Sequence, residues 1–263
     1  LQYTVDQALL GGEILYLLSR KNQSVFRWDV ASRRYLDSIP LAGEPAYMAY
    51  SAVNQRLYLA YSLGQVRQIH LGVSDAELPF VQLFYPSCGL ETAGEMVIAC
   101  EDYHFNIHST GNVYGYHSVY AADGVRLDRQ WRDKQMGVFT WNAALGRLFY
   151  AQNFGAMLRS EAIAADGTLS DDRGSVLSCH YNRCLLDSNA DGSLGLLSTG
   201  VIADLSALTA AHTLSTPPKD GIWIGETLYT LTPTGADSQL VKLDASYAQA
   251  AARDIPGEPL ALL

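Results

Sequence analysis

The chain has 263 residues, nearly half of them hydrophobic and 17% charged, with a formal net charge of −9. That composition excludes a disordered chain and predicts a sizeable core, in one large domain or two ordinary ones. Lys and Arg are nowhere clustered, which argues against nucleic acid and anionic membrane surfaces as partners, and no apolar run approaches the ~20 residues that span a bilayer.

In chain order, dense apolar runs follow polar corners at GGEILYLLS (Gly11–Ser19), NQRLYLAYS (Asn54–Ser62), AGEMVIACE (Ala93–Glu101), LGRLFYAQN (Leu145–Asn153), DGSLGLLST (Asp191–Thr199) and IGETLYTLT (Ile224–Thr232). Tyr16, Tyr58, Phe149 and Tyr229 hold the same place in four of them, a spacing of about 43 residues per step. Each run leads through a turn to a period-2 segment (SVFRWDV, GQVRQIHL, NVYGYHSVY, MLRSEAIA, VIADLS, QLVKLD), and a further strand such as RRYLDSIPL follows. A period in the forties with four short strands per unit predicts an all-β β-propeller of four-stranded antiparallel blades.

Six blades are expected, over 1–40, 41–83, 84–130, 131–175, 176–216 and 217–263, as one propeller domain. Seven is the alternative, because Ile255 to Pro259 echoes Ile39 to Pro45 as if another inner strand began there. Helical periodicity is scarce, and only Ala245–Arg253 offers a turn or two of helix in competition with an outer strand. A chain beginning at Leu1 rather than Met, with no signal peptide, is expected to be a processed or excised segment.

The four cysteines fall in two local pairs, Cys88 with Cys100 and Cys179 with Cys184. They read as disulfides of an oxidising compartment. The rival is a metal site, but C-x11-C and C-x4-C do not match tight zinc knuckles.

The unit Gly43-Glu44-Pro45, Asn54-Gln55, Arg56–Ala60 and Gln65–Leu71 resembles the YVTN-type, surface-layer-like propeller repeats of bacterial proteins. The resemblance implies an extracytoplasmic location and interaction roles, with no fixed catalytic set. It also implies that ligands bind on the face bearing the loops between second and third strands and between blades.

The irregular segments fall on those loops. The 100–112 insertion, CEDYHFNIHSTGN, is the longest, and a Cys88–Cys100 bridge from the loop FYPSCGLETAG would pin its base. A Cys179–Cys184 bridge would close a small loop displaying His180, Tyr181, Asn182 and Arg183. The expected ligand-binding residues are Tyr85, Asp102, Tyr103, Phe105, Arg132, His180, Tyr181 and Arg183, with the aromatics supplying contact area and the charges direction.

Three further groupings were weighed. His104, His108 and His117 would bind metal on a helix, but on a strand positions four apart lie ~13 Å from each other. DSNADGSLG (Asp187–Gly195) opens like a calcium loop, with Asp187, Asn189 and Asp191 as ligands. Ser198 stands where the bidentate glutamate belongs, and Asp-Gly suits a plain hairpin turn. Glu101, Asp102 and Asp133, beside Arg132 and Lys134, are carboxylates from which an acid–base pair could be assembled, but charges on loops are more often simply solvated, and no catalytic residue is expected.

The expected function is a non-catalytic recognition module, secreted or on a cell surface, with a protein or glycan partner and no cofactor. The alternative is a propeller hydrolase, lactonase-like or metal-dependent, with its site at the channel mouth. Against it, the inner strands begin with apolar residues at Ala46-Tyr47-Met48, Gly137-Val138-Phe139 and Gly221-Ile222-Trp223. A third reading is a structural part of a larger protein with flanking domains.

Overall fold

The computed structural model describes residues 4–103, 114–133, 135–152, 156–180, 183–257 and 261–262. The fold is all-β, a six-bladed β-propeller, and every blade is a four-stranded antiparallel sheet in sequence order. Blade 1 holds β1 (Gln7–Gly11), β2 (Ile14–Ser19), β3 (Ser24–Asp29) and β4 (Arg34–Pro40). Blade 2 holds β5 (Tyr47–Ser51), β6 (Arg56–Ala60), β7 (Gln65–His70) and β8 (Ser74–Gln82). Blade 3 holds β9 (Ser87–Ala93), β10 (Met96–Asp102), β11 (Tyr114–Tyr120) and β12 (Arg126–Asp133). Blade 4 holds β13 (Gln135–Asn142), β14 (Arg147–Gln152), β15 (Met157–Ile163) and β16 (Leu169–Ser178). Blade 5 holds β17 (Leu185–Ser188), β18 (Leu194–Leu197), β19 (Val201–Asp204) and β20 (Thr209–Thr213). Blade 6 holds β21 (Asp220–Ile224), β22 (Thr227–Thr234), β23 (Asp237–Leu243) and β24 (Gln249–Ile255).

All six dense runs form second strands, and the reason is burial on both faces. In β6, Leu57 and Leu59 pack with Leu18, Val25 and Ile39 of blade 1. The alternate residues Tyr58 and Ala60 pack with Leu90, Val97, Ala99 and Tyr120 of blade 3. A strand flanked by sheets on either side has no wet face, so alternation gives way to a continuous apolar run. Each such side chain contributes about 1.5–3 kcal/mol of burial. Tyr16, Tyr58 and Phe149, at the shared aromatic position, are all buried.

The polar corner before each run is a tight turn that contains a left-handed residue. Gly12, Gln55, Gly94, Gly146, Gly192 and Gly225 have φ between 51° and 73°, a region in which glycine alone carries no steric cost. Corner side chains also reach the next blade's corner: Ser51 Oγ donates to Gly94 O at 3.0 Å and Asn54 Nδ2 to Glu95 O at 2.8 Å.

The expected helix at Ala245–Arg253 is absent. Its second half lies in β24, paired with β23 from Gln249 to Ile255, so sheet pairing outweighs the helix propensity of its alanines. The seventh inner strand is not seen among the described residues, since Ala261 and Leu262 belong to no strand. β12 runs to Asp133 and β16 to Ser178, past the limits expected for their units.

The chain forms two compact units, Leu1–Gly137 with Ala165–Leu169, and Val138–Ala164 with Ser170–Leu263. In the second, Leu186, Leu196 and Ile202 of blade 5 pack against Leu228, Val241 and Leu243 of blade 6.

Candidate functional site

In the first unit, residues gather on the face of blade 3 that packs toward blade 2. Pairing sets Glu101 opposite Tyr116, and Tyr116 opposite Trp131, so the three share one row. Ser118 and Arg129 form the next row of the same face. Glu101 is wholly buried. Its Oε1 accepts from Ser118 Oγ at 2.5 Å and Arg129 Nε at 2.9 Å, and its Oε2 accepts from the Phe84 N–H at 3.0 Å and Arg129 Nη2 at 3.2 Å. Four donors satisfy the carboxylate, which is what allows an ion to remain in the interior.

Arg129 is thereby held against aromatic rings. Its guanidinium lies 3.5 Å from the Tyr116 ring centroid, 4.9 Å from that of Phe84 and 5.9 Å from that of Tyr85. Burial works against its charge, but the hydrogen bonds and charge of Glu101 outweigh burial and raise its pKa above the ordinary value. Around it, Tyr85 meets Tyr103 edge-on at 4.9 Å and stacks on Tyr116 at 6.2 Å. Trp131 meets Tyr103 at 5.4 Å and Tyr116 at 5.0 Å. Solvent reaches this cluster, for Trp131 is 43% exposed and Phe84 72%.

The cluster contains Tyr85 and Tyr103 of the expected residues. Asp102 pairs with Gly115 and Gly115 with Arg132, which puts both on the alternate row, facing the other way. Glu101 and Asp102 therefore do not share a face, because adjacent strand residues project to opposite sides of the sheet. The side chain of Asp133, and Lys134, Phe105, His104 and His108, lie outside the described residues; His117 is buried within β11. Phe84, Tyr116, Arg129 and Trp131 were missed. The alternation of Tyr116 with Ser118 and of Arg129 with Trp131 carried a signal for them, but only the neighbouring blade decides which face stays open.

Both disulfides are formed, Cys88–Cys100 and Cys179–Cys184. Cys88 lies inside β9 rather than in the loop before it. Gly89 pairs with Cys100 and Ser87 with Glu101, so Cys88 is the extra residue of a β-bulge. The bridge thus ties two adjacent strands directly below Glu101.

In the second unit, Cys179 follows β16 and Cys184 precedes β17, and His180 and Arg183 make a short bridge across the loop between them. His180 is exposed, with its N–H on Ser198 Oγ at 2.8 Å. Arg183 donates to buried Asp220 at 3.1 Å and to Leu186 O at 2.6 Å. Asp220 also accepts the N–H groups of Gly221 and Leu262. Arg183 therefore joins loop to blade as well as lining it; Tyr181 and Asn182 lie outside the described residues.

The Asp187–Gly195 segment is a hairpin turn. Asn189 Oδ1 accepts the Leu194 N–H, Asp191 Oδ1 accepts from Ser193, and Asp187 Oδ2 accepts the Trp223 N–H. Burial raises the Asp187 pKa above the usual carboxylate range. Among the described residues no group of three or more His, Cys, Asp or Glu side chains is placed to hold a metal ion.

No protein-family model and no curated protein sequence matches the chain. Solved structures do. A functionally unknown protein from Desulfotomaculum acetoxidans superposes with a TM-score of 0.70 at 11% identity, over 93% of this chain and 80% of that one. Kuenenia stuttgartiensis hydrazine synthase gives 0.65 at 12%, over 95% and 82%. The β-propeller domain of Cps50 (Swd1) from Myceliophteria thermophila gives 0.64 at 12%, over 98% and 88%. At such identities the likeness is one of fold, and function rests on the site.

Proposed function

We propose that this protein is a non-catalytic recognition module of an extracytoplasmic compartment, which binds a partner protein through the aromatic and arginine surface at the edge of blade 3. The observation that carries this is the solvent-reached cluster of Phe84, Tyr85, Tyr103, Tyr116 and Trp131 around an arginine fixed by a buried glutamate. Tyr, Trp and Arg are the residues that dominate protein interfaces, because they bury large area with few rotatable bonds to freeze. Arg129 is already oriented, so little ordering cost remains on binding. The two disulfides suit an oxidising environment, and the likeness of Gly43–Leu71 to YVTN-type repeats supports the same location.

The test is retention of a partner from the secreted and envelope fractions of the source cell on the immobilised chain, measured by quantitative mass spectrometry. Trp131→Ala should weaken a retained partner by about thirtyfold, the ~2 kcal/mol of an interface anchor, whereas Val176→Ala should leave it unchanged. A partner held equally by wild type, Trp131→Ala and Tyr103→Ala would overturn the assignment.

A further inference from the structure

A second hollow, in the other compact unit, shares no residue with the blade 3 surface. It has a volume of about 350 Å³ and lies where the outer strands of blades 5 and 6 meet. Its origin is a mismatch of strand length. β17, β18 and β19 have four residues each and β20 five, whereas β22 has eight and β23 and β24 seven each. Blade 5 therefore leaves part of the facing surface of blade 6 uncovered.

The uncovered surface has a definite chemistry. Val241 and Leu243 form an apolar floor continuous with the core between the two blades. Thr230 and Thr232 stand opposite Val241 and Gln239 in the β22–β23 ladder, and Thr213, Ser215 and Thr216 line the hollow from the blade 5 side. Gln239 is oriented by donating its Nε2 to Asp254 at 2.9 Å, which leaves its Oε1 as an acceptor. At the mouth the rings of Tyr247 and His212 lie 5.2 Å apart and 35° from parallel. Tyr247 sits there at a φ of 61°, at a turn where blades 2, 3 and 4 have Gly72, Gly124 and Gly167 and blades 1 and 5 hold Arg33 and Leu208 in the same left-handed region.

Among the described residues no Lys, Arg, Asp or Glu lines the hollow. Hydroxyls and amides that both donate and accept, an apolar floor and an aromatic rim match a ligand that is neutral, rich in hydroxyl groups and apolar on its ring faces. The volume falls within the ~300–1,000 Å³ of small-molecule sites. We propose that this groove binds the terminal units of a neutral oligosaccharide, with one sugar against Tyr247 and its hydroxyls on Thr232 and Gln239. Anionic ligands are disfavoured, since among the described residues no Lys or Arg lines the groove while Asp244 and Asp254 stand beside it.

The experiment screens the full chain against an array of neutral and acidic oligosaccharides and titrates the neutral hits by calorimetry. Neutral glycans should bind. Tyr247→Gly should weaken them about tenfold while circular dichroism shows the fold retained, the relieved φ offsetting part of the packing that Tyr247 loses against the core. Thr232→Val, close in shape, should weaken them about fivefold through one lost hydrogen bond. Trp131→Ala should bind them like wild type, which separates this site from the blade 3 surface. No binding of neutral oligosaccharides at millimolar concentration, binding confined to acidic ones, or full affinity in both groove variants would overturn the proposal.

Discussion

The edge of blade 3 and the groove of blade 6 obtain their polarity from different sources. At blade 3 a buried ion pair fixes one arginine, and the aromatic rings are arranged about it. At blade 6 no Lys, Arg, Asp or Glu stands in the lining among the described residues; shortened neighbouring strands expose neutral hydroxyls over an apolar floor. A surface built on an internal charge depends on every member of its network. One built by leaving a sheet uncovered should tolerate single changes.

The largest expected effect tests that contrast. Glu101→Ala strands Arg129 together with the donors of Ser118 and Phe84 and should cost about 3–5 kcal/mol in urea denaturation, whereas Thr232→Val should cost under about 0.5 kcal/mol. Equal costs would break the comparison. The disulfides come next. The Cys88–Cys100 bridge spans 12 positions and the Cys179–Cys184 bridge 5. Loop-closure entropy then predicts losses of about 3 and about 2 kcal/mol for the two Cys→Ser double variants, read by thermal unfolding.

The smallest effect is an acid response that differs between the units. Hydrogen bonds lower the pKa of Asp29 and Asp166 in the first, and of Asp171, Asp191, Asp204 and Asp244 in the second. The donors include Ser32, Thr168, Arg173, Ser193, Ala207 and Ser246. A lowered folded-state value means that the contribution is complete above the unfolded value of about 4 and is lost as pH falls through the folded one. Asp187, raised by burial, runs the other way and offsets part of this. Protection from hydrogen exchange, taken relative to the intrinsic rate at each pH, should therefore fall first in the second unit below about pH 4.

The blades were legible because a doubly buried strand leaves a mark no other element leaves: an unbroken apolar run after a left-handed corner, repeated at even spacing. Even Gln55, the non-glycine among the corners, kept the register of Arg56–Ala60. Of the candidate cluster, the loop members Tyr85 and Tyr103 were legible, as were the two cysteine pairs. Tyr116, Arg129 and Trp131 were not, for they sit in regular strands where the same alternation serves core and surface. Nor did Ala245–Arg253 reveal its state, since alanine-rich segments follow whatever pairing the adjacent strand offers.

The short strands of blade 5 bear on how such a molecule changes over generations. Side chains alternate along a ladder, so trimming or adding one residue on each side of a hairpin turn alters a blade's reach without inverting which residues point inward. Matched insertions or deletions at those tips are therefore a route by which a hollow is opened, deepened or sealed while the framework stays in register, and new specificities would be expected to track blade length sooner than any single side chain.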